Sequence, residues 1–377
     1  MSFMQMAKLE RLARNGSGKE SLVAKCQGNK KSPREVSTAS SAGAEVTTGL
    51  KSWDVCLRLV EKNLNSALAN STSKQYKYWW KRFEEFCTAN GRQMEPFSDL
   101  TAAAYLSCLA EESAGIGGVD QARAALRYFH NLKFPGITSP TDSVRISSVL
   151  KGIKRRFQKP VSKKKPLESE DFSRLLAFIT KNGDFNNLRL VELRFAAQIS
   201  LLYCTFSRYE ESAGLELNHI DEDGQDLLIL FPKGKQYQYG EARMGVMTNQ
   251  PQLAVNPVDV VKVYLQQLKT YPGEGEVLFP TLKCQGKQTF RLGKPASYDC
   301  VMKQFKLYAK DAGISGSPRE YGLHSCRRGA VTTAVNNGCD EHTVQKQMRV
   351  ASVDTVHRYA SLDKRRLAKA TEKLFSK

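Results

Sequence analysis

The sequence predicts a mainly α protein with one small β-sheet, organised as a helical N-terminal domain followed by an α+β domain. Three observations carry this. Between Trp53 and Phe157 apolar residues recur at helical spacing with no strand signal. A basic run containing Pro160 and Pro166 then breaks the pattern. Beyond it, helical stretches share the chain with a short apolar run, Leu227-Leu228-Ile229-Leu230-Phe231, of the length and content of a strand.

Taken in order, residues 1–50 read as a flexible basic tail. From about 15 to 49 they are rich in Ser, Gly, Lys and Ala, with too few large apolar groups to offset the entropy of ordering. Residues 51–158 form the helical domain. Trp53, Cys56, Leu57, Leu59 and Val60 mark its first helix. Ser71 or Ser73 is expected to cap the second, which carries Tyr76, Trp79, Trp80, Phe83 and Phe86 and ends at Gly91. Those aromatics sit at i, i+3, i+4, i+7, the spacing of a core-facing stripe rather than a base-stacking platform. Ser98 caps a third helix through Tyr105 and Leu109. Gly115, Gly117 and Gly118 make a turn into a fourth over 119–132, and a fifth covers 143–157.

The basic run follows, and 159–166 is read as a linker. No acid interrupts the stretch from Lys151 to Pro166. Lys154, Arg155, Arg156, Lys163, Lys164 and Lys165 are its candidates for contact with a phosphate backbone. Each neutralised phosphate would add about 0.9 to the salt dependence of binding. A nuclear import signal would use the same residues. In the second domain, 167–377, helices are expected over 171–180 and over 188–203, the latter with an apolar face of Leu190, Phe195, Ile199 and Leu202. The apolar run 227–231 reads as a buried strand with 243–247 as its partner. Further helices open at Pro257, at Tyr298 and after His324, and a last amphipathic one covers 364–375.

Bulk properties narrow the function. No apolar stretch among the 377 residues approaches the ~20 needed to span a membrane. A formal charge of +19, from 57 Lys+Arg against 38 Asp+Glu, makes nucleic acid the leading partner. The nine cysteines form no C-x-x-C pair, which speaks against a zinc ribbon or a dithiol redox site. With no secretory signal in view, the expected location is an intracellular, DNA-containing compartment, the nucleus in a eukaryote. Cys326 reads as a packed thiol.

The chemistry concentrates in two places. Gly322-Leu323-His324-Ser325-Cys326-Arg327-Arg328-Gly329 precedes Val356-His357-Arg358-Tyr359, and Ser207-Arg208-Tyr209-Glu210-Glu211 follows an apolar helix much earlier. Attack on a phosphodiester without metal needs a side-chain oxygen able to form an ester. It also needs guanidinium forks for the charge gathering on the non-bridging oxygens, and a proton donor for the leaving oxygen. Arg208, Arg327, His324 and Tyr359 are residues of those kinds.

This set resembles the tyrosine recombinases of the phage-integrase superfamily, over roughly Trp53 to the C-terminus. The first arginine box of that family runs Leu-x-x-x-Gly-x-Arg-x-x-Glu-x-x-x-Leu, matched here by Leu202, Arg208, Glu211 and Leu215. Its H-x-x-R box matches His324 and Arg327. The resemblance implies a helical core-binding domain and an α+β catalytic domain, with Tyr359 as nucleophile. It implies Arg208, Arg327 and His324 as transition-state ligands and Glu211 as the residue orienting Arg208. A lysine on a β-hairpin would act as general acid; Phe231-Pro232-Lys233-Gly234-Lys235-Gln236 offers Lys235, with Lys233 as the fallback. One position departs from the pattern. Nine residues before the nucleophile the family has His or Trp, and this chain has Val350, which cannot donate a hydrogen bond. His357 lies on a different helical face and is not expected to substitute.

The implied function is cutting and rejoining double-stranded DNA through a 3′-phosphotyrosyl intermediate, with no metal or other cofactor. Four subunits would meet on two DNA sites, as in integration of a mobile element. Two alternatives stay open: a recombinase-derived DNA-binding protein with impaired catalysis, and a type IB topoisomerase-like activity.

Overall fold

The computed structural model describes residues 52–112, 115–157, 164–232, 234, 242–285 and 288–360. The tail, Lys163, Lys233, Lys235 and the helix expected over 364–375 lie outside the described residues. The chain divides into two compact units, residues 1–160 and 161–377.

Among its described residues the first unit has five α-helices: α1 (Trp53–Ser66), α2 (Asn70–Ala89), α3 (Asp99–Glu111), α4 (Gly115–Lys133) and α5 (Val144–Phe157). The aromatic stripe of α2 is core, as its spacing predicts. Phe83 is fully buried, edge-on to Phe97 at 5.1 Å and tilted against Tyr105 at 5.2 Å. Trp79, Leu106, Leu109, Ala122, Leu126, Ile146 and Leu150 close the same cluster. Ser98 caps α3 by accepting from the Thr101 amide. Two boundaries differ from expectation. Helix α2 starts at Asn70 after an uncapped Ala69. Four cap-forming residues stand in a row there (Asn70, Ser71, Thr72, Ser73), so residue type alone cannot select among them. Helix α4 begins at Gly115, so its glycines lie inside the first turn rather than before it. A glycine costs a helix only about 1 kcal/mol, and burial of Val119 and Ala122 outweighs that.

The second unit is arranged around α7 (Leu190–Cys204), flanked by α6 (Ser169–Ile179) and followed by the one-turn α8 (Tyr209–Ala213). The expected apolar face of α7, Leu190, Phe195, Ile199 and Leu202, is buried, and burial extends beyond it. Every residue from 193 to 202 is buried, including Arg194, Gln198 and Ser200, so the helix is the axis of the core and has no solvent side. Arg194 settles its charge on the Pro280 carbonyl at 2.9 Å and Gln304 Oε1 at 2.8 Å.

A three-stranded antiparallel sheet comprises β1 (Ile220–Asp223), β2 (Asp226–Phe231) and β3 (Arg243–Met247), with β2 in the middle. Phe231 pairs with Arg243 and Ile229 with Gly245. The strand is not buried on both faces as its apolar run suggested. Leu227, Ile229 and Phe231 point into the core, while Leu230 is 41% exposed, which is the alternation of a sheet covered on one side. A second hairpin, β4 (Pro280–Gln285) with β5 (Gln288–Pro295), was not expected; its polar composition hides it. Helices α9 (Pro257–Thr270) and α10 (Tyr298–Asp311) pack on the core.

The chain ends its described course in three helices: α11 (Leu323–Asn336), α12 (Glu341–Met348) and α13 (Val353–Tyr359). Val331, Val335, Val344, Met348, Val350 and Val356 hold them together in a cluster of their own. Asp340 caps α12 through the Thr343 amide, and Ser352 caps α13 through the Asp354 amide. Residues 164–168 lie along this group in extended form rather than hanging as linker. The Lys165 amide donates to the Glu320 carbonyl and the Leu167 amide to the Ser325 carbonyl. Gly329 makes this possible: a Cβ there would fall 1.7 Å from the Leu167 carbonyl oxygen.

Two substitutions follow. Gly329→Ala should cost about 3 kcal/mol or more, because backbone must move to admit the methyl. Gly152→Ala, in the interior of α5 with open space around its Cα, should gain about 1 kcal/mol. Chemical denaturation of each variant measures both.

Candidate active site

Helix α7 ends at Cys204, and the chain turns sharply into α8 through Phe206, whose φ is +53°. Phe206 occupies the glycine position of the arginine-box pattern, so a bulky residue holds a left-handed conformation there. This costs roughly 1–2 kcal/mol. The turn delivers two groups. The Phe206 carbonyl accepts from Arg327 Nη1, and Arg208 becomes the N-cap of α8. Glu211, three residues on, reaches back: its Oε2 accepts from the Arg208 amide at 2.8 Å and its Oε1 from Arg208 Nη1 at 2.9 Å.

Glu211 is 2% exposed and serves more than Arg208. Arg327 Nη1 lies 3.5 Å from its Oε2 and Arg349 Nη2 lies 3.4 Å from the same oxygen. Three guanidinium groups thus share one buried carboxylate. Arg327 and Arg349 are 0% and 1% exposed at their side chains, whereas Arg208 is 12% exposed and forms the open side of the cluster. Burial, with the Arg208 charge beside it, pulls the pKa of Arg327 below the ordinary arginine value, yet it stays a cation at neutral pH. Such a pocket carries an excess of positive charge in a poorly solvated place, and an anion at its mouth would relieve the imbalance.

The remaining predicted residues fall around this cluster as follows. His324 stands in the first turn of α11, at the solvent-facing edge. Desolvation by the surrounding protein holds its pKa below the usual histidine value; the Arg327 and Arg208 charges add to that, while Glu210 and Glu211 oppose it. It is therefore predominantly a neutral imidazole near neutral pH. Tyr359 closes α13, half-buried, with the Arg327 guanidinium 5.1 Å from its ring centroid. Val350 is 4% exposed, packed in the cluster that joins α11 to α12 and α13. His357 points away from the pocket, paired with Glu341 at 2.8 Å. Burial pushes the Cys326 thiol up to about 12, so it is an inert packing group.

The basic candidates divide. Lys154 and Arg156 are exposed on α5 in the first unit, paired with Asp120 at 3.6 Å and Glu111 at 2.7 Å, and Arg155 beside them is also exposed. Exposed pairs of this kind contribute about 0–1 kcal/mol and exchange readily for phosphate. Lys164 and Lys165 belong to the second unit, and their ammonium groups donate to the Arg319 and Ser315 carbonyls at 2.7 and 2.9 Å. Among the described residues no group of three or more His, Cys, Asp or Glu side chains is placed to hold a metal ion. No helix there is long and apolar enough to cross a membrane.

Sequence reasoning missed Arg349. It caps α12 with φ +55°, ψ +45°, a geometry that favours glycine, and nothing in the linear pattern marks an arginine there as buried.

Residues 165–366 match the phage integrase family. An integrase/recombinase XerD homolog of Selenomonas ruminantium is 24% identical over 300 residues, covering 79% of this chain and 84% of the relative. Among solved structures, the XerH site-specific recombinase bound to palindromic difH substrate, in a post-cleavage complex, superposes with a TM-score of 0.57. It is 18% identical and the match covers 79% of this chain and 78% of that one. The Tn1549 transposon integrase in complex with transposon right-end DNA gives a TM-score of 0.57 at 14% identity, covering 84% of this chain and 98% of that one. At these identities the structural likeness is one of fold.

The shifted imidazole gives a measurable sign. A histidine whose folded pKa lies below its unfolded value adds stability above the unfolded pKa, and loses it as pH falls through the folded one. His324 should titrate by NMR with a midpoint below about 6.5. Glu210→Gln should lower that midpoint further, since its carboxylate pulls the other way.

Proposed function

Because the chain belongs to the phage integrase family and is a tyrosine recombinase, we propose that it cuts and rejoins double-stranded DNA through a 3′-phosphotyrosyl link formed on Tyr359. The observation that carries this is the meeting of distant boxes. Arg208 and Arg327 converge on Glu211, and the ring of Tyr359 lies against the Arg327 guanidinium.

In this reading the scissile phosphate sits at the open, Arg208 side of the pocket. Arg208 and Arg327 stabilise the charge that builds on the non-bridging oxygens; fixed donors of this kind act without reorganising during the reaction. Tyr359 Oη forms the new bond to phosphorus as the bond to the 5′ oxygen breaks. The phenolic proton needs an acceptor, and a neutral His324 has a lone pair for it. Lys235, or failing it Lys233, gives its proton to the departing 5′ oxygen. A 5′ hydroxyl from the partner strand then reverses the steps and frees the tyrosine. One phosphodiester is exchanged for another, so the bond count balances without a nucleotide cofactor.

Lys154, Arg155, Arg156 and Lys163 are the backbone contacts this reading prefers. Lys164 and Lys165 are assigned to holding residues 164–168 in place. A tetramer on two sites is the assembly that strand exchange between two duplexes requires.

A second reading has one specific support. Val350 is enclosed by aliphatic side chains and brings no donor to the phosphate. A protein that binds DNA and turns over poorly would look the same there. The two separate on a nicked suicide duplex selected from a random library. The wild type should accumulate a covalent adduct, and Tyr359→Phe should bind equally well and form none. An adduct with the phenylalanine variant would reassign the nucleophile. Binding without adduct by the wild type would favour the second reading.

A further inference from the structure

We infer that Arg349 is a positioning residue for strand cleavage, acting through Glu211 and the end of β2. This rests on the cleavage reading above. The argument begins with the backbone. Position 349 is in the left-handed region, where glycine fits without cost. The chain places there a large side chain and buries it to 1% exposure. Three contacts of its guanidinium bear on the site. Nη1 donates to the Gln347 carbonyl at 2.7 Å, Nη2 approaches Glu211 Oε2 at 3.4 Å, and Cζ lies 3.9 Å from the centre of the Phe231 ring.

Each attachment leads to a different part of the site. Glu211 fixes Arg208 by its amide and its guanidinium. Phe231 ends β2, immediately ahead of the segment that contains Lys233 and Lys235. Arg349 itself precedes Val350, and the chain then enters α13 and Tyr359. The neighbouring Met348 carbonyl takes Arg327 Nη2 at 3.0 Å. Gln347 adds a tie to β3, donating to the Val246 carbonyl at 2.7 Å. The end of α12, from which the chain runs on to the nucleophile's helix, the arginine pocket and the end of β2 are therefore joined at one guanidinium.

Gly245 is the matching concession. It lies on β3 opposite Ile229. A Cβ on it would fall 2.8 Å from Arg349 Nη1 and 2.9 Å from Phe231 Cε2. Space is left on the strand for this side chain. The charge balance points the same way. Arg349 and Arg327 approach the same oxygen of Glu211, so Arg349 keeps the carboxylate from closing wholly onto Arg327. That leaves Arg327 charge for a phosphate. A lysine cannot reproduce this, since it lacks the planar fork and stacks less well.

The test compares Arg349→Gly, Arg349→Lys, Gly245→Ala and the Arg349→Gly/Gly245→Ala double variant with wild type in the full chain. Arg349→Gly suits the local backbone, so it separates loss of the side chain from loss of the fold. Single-turnover cleavage of the suicide duplex should slow about 10–100-fold, with duplex affinity changed less than about threefold because many phosphate contacts set it. Arg349→Lys should recover part of the rate. Gly245→Ala should slow cleavage similarly, and the double variant should be no slower than Arg349→Gly, since the two act on one group. Amide exchange supplies a readout without chemistry. In Arg349→Gly the Arg208 amide, which donates to Glu211, should exchange about tenfold faster while α7 core amides do not change. Cleavage within about threefold of wild type, or an unaltered Arg208 amide, would overturn the inference. If wild type itself forms no adduct, the cleavage reading fails, and the exchange result alone decides the role of Arg349.

Discussion

One buried carboxylate answering three guanidinium groups is the constraint on which the second unit turns. A charge removed from water is tolerated only when paired and hydrogen-bonded. Glu211 meets that demand for Arg208, Arg327 and Arg349 together, but with one negative charge against three positive ones. Main-chain carbonyls make up part of the difference. Phe206 and Met348 accept from Arg327, and Gln347 accepts from Arg349. Carbonyl dipoles orient a guanidinium without neutralising it, so the pocket keeps the positive potential that an incoming phosphate needs.

The local backbone is bent to supply those carbonyls. Among the described residues four non-glycine positions have positive φ, and two of them, Phe206 and Arg349, lie in this site. Strain of this kind persists where the surroundings over-determine it. Here the α7 core fixes one side and the aliphatic cluster of α11, α12 and α13 fixes the other. Val350 takes part in the second. At that position the chain has chosen packing over hydrogen bonding, and the phenol of Tyr359 rests on a hydrocarbon floor with a guanidinium beside its ring.

Much of this was legible in the linear sequence, and the parts that were not share a reason. Arg208, Glu211, His324, Arg327 and Tyr359 stand in spaced boxes, and the structure gathers all five. Helices with strong periodicity and a clear cap, such as α3 behind Ser98, were readable from residue type. In helix α7 the linear pattern marks the apolar face of Leu190, Phe195, Ile199 and Leu202 but not the burial of Arg194 and Gln198, whose partners lie on other elements. The β4–β5 hairpin carries Lys, Gln, Thr and Arg, and its apolar alternation is confined to Leu282 and Cys284 on one strand and Phe290 and Leu292 on the other. Arg349 was invisible for a deeper reason: its meaning comes from a φ angle, an aromatic ring 118 residues earlier and a glycine on a third element, and none of these leaves a mark within a local window. Lys235 and Lys233 fall outside the described residues.

The seam between residues 164–168 and α11 bears on how the molecule can be divided. Gly329 admits the Leu167 backbone so closely that the two behave as one layer, and Lys164 and Lys165 are stitched to the loop before α11 by their own ammonium groups. A catalytic fragment begun at Leu167, where composition suggests cutting, would lose the Lys164–Lys165 strap over the loop that leads into the helix carrying His324 and Arg327. One begun near Val161 would keep it. The basic run is thus two things end to end, and its last three residues are masonry.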